Sequence, residues 1–98
     1  MKSRQDILSA LEQNRDVIRE LGVKELGLFG SFARDEQTDE SDIDFLVDIE
    51  KKTFRSYMAV LNFLEDLVGR KVDLVMKGTI KPIIRNRVLA ETIYVTGL

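Results

Sequence analysis

The apolar residues of this chain change their spacing several times, and each change marks an element. Ile7, Leu8, Leu11, Ile18 and Leu21 recur at helical spacing. Ser3 suits the start of that helix and Gly22 its end, which predicts one helix across the stretch. Val23 to Phe29 alternates loosely and stops at Gly30, as a short strand does. Phe32 to Arg34 reads as a single helical turn and 35–41 as a polar loop. Ile43 to Ile49 is the clearest strand, with Ile43, Phe45 and Val47 on one face and Asp44, Leu46 and Asp48 on the other.

The period then returns to helical. Phe54, Tyr57, Met58, Leu61, Leu64, Leu67 and Val68 trace an amphipathic helix that ends at Gly69. Val72 to Met76 is a third strand, followed by a break at Gly78. Pro82 fits the first turn of a last helix running to about Glu91, with Ile83, Ile84, Val88 and Leu89 on its buried side. Thr92 to Val95 closes the pattern as an edge strand. Strands interleaved with helices in this order predict an α+β fold, a small mixed β-sheet with helices packed on it. Residues 1–98 suit one domain, and no repeat or linker divides them.

Composition narrows the chemistry. The chain has no cysteine and no histidine, which removes disulfides, thiolate metal sites, a Ser/His triad and a typical zinc site. Any metal is then a hard cation held by carboxylates. The opening residues, Met1 to Asp6, carry no apolar segment of a signal peptide, and no run reaches transmembrane length, so a cytoplasmic location without a membrane is expected. A net charge of −2 argues against general affinity for nucleic acid. The charge is unevenly spread. Asp35, Glu36, Asp39, Glu40, Asp42, Asp44, Asp48 and Glu50 form an acidic block, whereas Arg70, Lys71, Lys77, Lys81, Arg85 and Arg87 are opposed only by Asp73. Two solvated faces explain this, and so does a metal-binding edge facing a phosphate-attracting one.

The candidate chemistry lies at Gly30-Ser31 and at Asp42-Ile43-Asp44. A strand that ends in Gly-Ser and opens a helical turn presents unpaired N–H groups and a hydroxyl to an anion, and glycine lets the backbone come close. Ser31 would equally serve as an ordinary N-cap. Residues two apart on a strand share a face with Cα atoms about 6.5–7 Å apart, so Asp42 and Asp44 can converge on one or two Mg²⁺ ions. Read alone, Ser41 and Asp42 are also ordinary turn residues. Asp73 interrupts the apolar Val72-Leu74-Val75 and completes a group of three carboxylates if its strand lies beside that of Asp44. Together these residues describe a metal-assisted nucleotidyl-transfer site.

At these residues the chain resembles the minimal nucleotidyltransferases of the DNA polymerase β-like superfamily, whose signature is Gly-Ser, ten residues, then Asp-x-Asp. Gly30-Ser31, residues 32–41 and Asp42-Ile43-Asp44 match that spacing, and Val72-Asp73-Leu74-Val75 matches the context of the family's third carboxylate. The resemblance spans nearly the whole chain. It implies the polymerase β-like fold and Mg²⁺-dependent transfer of AMP from ATP to a hydroxyl. It implies that Asp42, Asp44 and Asp73 hold the metal and carry catalysis, with Asp73 helping to deprotonate the acceptor, and that Gly30 and Ser31 hold the triphosphate. It further implies an antitoxin paired with a HEPN-domain ribonuclease toxin, adenylylated on tyrosine. One position departs from the pattern: Asp35 stands where the family often has glycine, and aspartate tolerates left-handed backbone better than most residues. Two other readings fit the sequence, a module that neutralises its partner by contact alone and an enzyme acting on a small molecule.

Overall fold

The computed structural model describes residues 3–98. Met1 and Lys2 lie outside the described residues. The elements run α1 (Arg4–Gln13), α2 (Arg15–Glu20), β1 (Val23–Phe29), α3 (Gly30–Ala33), β2 (Ile43–Ile49), α4 (Phe54–Val68), β3 (Val72–Met76), α5 (Pro82–Glu91) and β4 (Ile93–Tyr94), with a 3-10 turn at Lys77–Thr79. The four strands form one sheet in the order β3-β2-β1-β4. β1 is antiparallel to both β2 and β4, while β2 and β3 run parallel. A crossover through α4 joins that parallel pair, as the geometry of parallel strands demands.

Strand and helix limits follow the hydrophobic pattern closely, but three expectations are corrected. The first helix is two. Asn14 adopts φ −109° and ψ 18°, and its side-chain amide donates to the Ala10 carbonyl at 2.8 Å, which ends α1 before α2 begins. Phe54 stands at the first turn of α4 and is 79 % exposed, so it lies outside the core stripe. Ile83 is 91 % exposed and Ile84 is also exposed, leaving Val88 as the buried residue of α5 with Leu89 partly covered. The reason is position: α5 touches the sheet with its second half only.

One face of the sheet carries most of the core. Ile43, Phe45 and Val47 of β2, Leu26 and Leu28 of β1, and Val72 and Leu74 of β3 pack against Ile7, Leu11, Ile18, Val60, Leu64 and Val68 from α1, α2 and α4. The opposite face is thinly covered. There Leu46 packs with Ile80 and Val88, flanked by Phe29 and Val75. The two aspartates that alternate with Leu46, Asp44 and Asp48, share that face and are half-buried. No helix among the described residues is long and apolar enough to cross a membrane.

Candidate active site

The register of the sheet sets the site. Asp44 on β2 is paired with Phe29 on one side and with Asp73 on the other. In parallel strands such neighbours lie about 4.8 Å apart at Cα with side chains on one face, so the two carboxylates are brought together by backbone pairing alone. Asp73 faces away from the buried Val72 and Leu74 and sits on the edge strand β3, where it is exposed. Tyr57 of α4 fixes that edge by donating its hydroxyl to the Leu74 carbonyl at 2.6 Å. The Tyr57 hydroxyl is itself harder to ionise than usual, through burial and the Asp73 charge.

Asp42 stands two residues ahead of Asp44, just before the strand, and is exposed. Its position depends on the 34–42 loop. Arg70, following α4, donates from one nitrogen to the carbonyls of Asp39 at 2.7 Å and Ser41 at 2.8 Å. The same guanidinium lies 5.2 Å from the centre of the Phe32 ring. Ser41 closes the turn by accepting from the Thr38 N–H at 2.9 Å. Asp35 takes φ +60°, the one left-handed non-glycine residue among those described, so the turn survives without glycine there.

β1 ends at Phe29 and the chain turns at Gly30, whose φ is +76°. A Cβ at Gly30 would fall 2.1 Å from Asp44 Oδ2. Glycine is therefore required twice, for the backbone conformation and for the close approach of Asp44. Phe32 and Ala33 are buried and anchor α3, and Arg4 donates to the Ala33 carbonyl at 2.9 Å. The cap position of α3 is held by Phe29. Ser31, partly buried, is thus not an N-cap.

Burial, the charges of Asp73 and Asp42, and a hydrogen bond with Asp73 push the Asp44 carboxyl up to about 6, while Arg34 opposes the shift. Asp44 and Asp73 form the close pair, and Asp42 reaches it through its charge. Among the described residues no three acidic side chains are gathered tightly enough to hold a metal ion as they stand. The donor set nevertheless fits a hard divalent cation. It consists of carboxylate oxygens whose mutual repulsion a cation would relieve, with Asp42 exposed at the end of the neighbouring loop.

The basic run distributes differently from a single phosphate-attracting edge. Arg70 is spent on the loop, and Lys77 pairs with Glu25 at 3.0 Å. Lys81 lines a cleft of about 340 Å³ with Phe29, Asp73, Val75, Ile80 and Ile84, directly beside the carboxylates. Arg70, Tyr57 and Glu91 (which binds the Gly30 turn) were not identifiable from sequence. Each works through a contact distant in the chain, and no local pattern marks it.

Residues 11–95 match the nucleotidyltransferase domain family. The chain belongs to that family. It is 40 % identical over 97 residues to protein adenylyltransferase MntA of Thermococcus cleftensis, covering 97 % of this chain and 98 % of the relative. A solved structure assigned as a minimal nucleotidyltransferase superposes with a TM-score of 0.80 at 30 % identity, covering 93 % of this chain and 94 % of that one. A chain from the complex of tri-AMPylated Shewanella oneidensis HEPN toxin with MNT antitoxin shares the fold at a TM-score of 0.65 and 17 % identity, covering 97 % and 73 %. The fold of this nucleotidyltransferase is thus the polymerase β-like one, and its activity is nucleotidyl transfer.

Proposed function

We propose that this nucleotidyltransferase moves AMP from ATP to a hydroxyl of a partner protein, a tyrosine of a HEPN-domain toxin, and so acts as its antitoxin. The observation that carries the reading is the Asp44–Asp73 register beside Gly30, which joins an acidic pair to the turn that opens α3. The relative named as a protein adenylyltransferase and the fold shared with a chain of a HEPN–MNT complex support the choice of acceptor.

Asp42, Asp44 and Asp73 would hold Mg²⁺. Bound there, the ion neutralises triphosphate charge and makes the acceptor hydroxyl more acidic. Gly30 and Ser31 receive the phosphate tail: glycine lets the backbone come close, and the Ser31 N–H and hydroxyl donate, the Gly30 N–H being taken by Glu91. Asp73, exposed at the sheet edge, takes the proton of the acceptor. The acceptor oxygen then bonds to the α-phosphorus, the bond from that phosphorus to the bridging oxygen breaks, and pyrophosphate leaves. The protein's contribution is orientation and charge placement, which suffice for phosphoryl chemistry without a histidine.

Co-expression with the HEPN-domain protein of a neighbouring reading frame, followed by intact mass measurement of that protein, tests the reading. Added AMP units on the partner are expected. An unmodified partner that is nevertheless neutralised would favour the second reading, inhibition by contact. The exposed side chains of Phe54 and Ile83 are the observation behind that alternative.

A further inference from the structure

The Gly30 turn is held from outside its own motif. Glu91, the last residue of α5, offers one carboxylate oxygen to two donors, the Gly30 N–H at 3.0 Å and the Arg34 guanidinium at 2.8 Å. Those donors bracket α3, and the Arg34 N–H also donates to the Gly30 carbonyl at 3.1 Å. The Glu91 side chain is only 16 % exposed. From the other side, Asp44 fills the space a Gly30 side chain would take. Gly30 therefore sits between two carboxylates, one gripping its N–H and one occupying the place of its missing Cβ. Glycine alone does not select φ +76°, because it adopts left- and right-handed backbone about equally well. The restraint comes from these neighbours.

We infer that Glu91 is a positioning residue for nucleotide binding: it clamps Gly30 and Arg34 so that the Ser31 hydroxyl faces the incoming triphosphate. The inference rests on the function proposed above, in which Gly30-Ser31 receives that triphosphate. The opposite role would be a plug, an acidic group seated where phosphate belongs and displaced by ATP. Two features favour the clamp. Glu91 leaves the Ser31 hydroxyl unengaged, and it is carried by a helix anchored on the sheet through the buried Val88.

Calorimetric titration of MgATP into the wild-type chain, Glu91→Gln and Glu91→Ala tests this, with a melting curve for each. Glutamine keeps an acceptor for the Gly30 N–H and is expected to hold affinity within about threefold of wild type. Alanine removes the acceptor and is expected to weaken binding about tenfold or more. Glu91→Asp, too short to span both donors, is expected to fall between and keeps the test open if the alanine variant does not fold. Tighter binding in Glu91→Ala would establish the plug and overturn the clamp. Unchanged affinity with a lowered melting temperature would overturn it by reducing Glu91 to a structural group. Glutamine behaving no better than alanine would also contradict it. A wild-type chain that takes no ATP overturns the inference together with the function beneath it, whereas a wild type that binds with alanine unchanged overturns the inference alone.

Discussion

Asp44 and Asp73 stand opposite each other on two parallel strands, brought together by the sheet itself and separated in sequence by the whole of α4. Two carboxylates in this register repel each other unless something positive or a proton lies between them. The same register places Asp44 against Gly30, so the acidic pair and the turn at the end of β1 form one unit.

Stability should therefore depend on pH in a defined window. Asp44 has an ordinary value of 3.8 and is pushed up to about 6 in the fold. The folded chain binds that proton more tightly than the unfolded chain, so the proton's contribution to stability is fully present below about 3.8 and is lost as pH rises through about 6. Denaturant melts from pH 4 to pH 7 should show this decline. Asp44→Asn should flatten it, and millimolar Mg²⁺ should restore stability to the wild type at pH 7 but not to the variant.

Gly30→Ala should damage both the turn and the site. The left-handed backbone costs alanine about 1–2 kcal/mol, and its methyl group would displace the Asp44 carboxylate. Lower stability of that size in urea, with nucleotidyl transfer reduced at least about a hundredfold, is the expected result. Retained transfer would show that Asp44 can move aside at no cost.

Much of this arrangement is legible in the sequence because it is local. The alternation of Ile43 to Ile49 places Asp44 on the face opposite the core, and the Gly-Ser spacing to Asp42 and Asp44 needs no tertiary information. Asp35 at φ +60° bears out the expectation of a left-handed aspartate. What could not be read depends on distant contacts. The break at Asn14 turns on a single side-chain hydrogen bond within a helical pattern. Ile83 looks buried by periodicity, yet only the second half of α5 meets the sheet. Arg70 looks like part of a basic edge, yet its guanidinium is committed to carbonyls about thirty residues away in the loop that carries Asp42.

Arg70→Ala should loosen that loop. Loss of charge-assisted hydrogen bonds to the Asp39 and Ser41 carbonyls should destabilise the chain by about 1.5–3 kcal/mol. Amide exchange should accelerate across residues 35–42, and transfer should fall at least about tenfold as Asp42 loses its place. Arg70→Lys should recover only part of both, since a lysine lacks the planar fork.

Tyr57→Phe should act more gently. It removes one hydrogen bond to the Leu74 carbonyl and should cost about 1 kcal/mol. Its kinetic effect should appear in kcat rather than in the KM for ATP, because Tyr57 supports the Asp73 strand and not the Gly30 turn.

The most direct test of the site is transfer from α-labelled ATP to the co-expressed HEPN-domain partner by the wild type and by Asp42→Asn/Asp44→Asn. The wild type should label the partner in the presence of Mg²⁺. The double variant should keep its fold and its association with the partner while label falls to background. Undiminished labelling by the folded variant would contradict the assignment of Asp42 and Asp44.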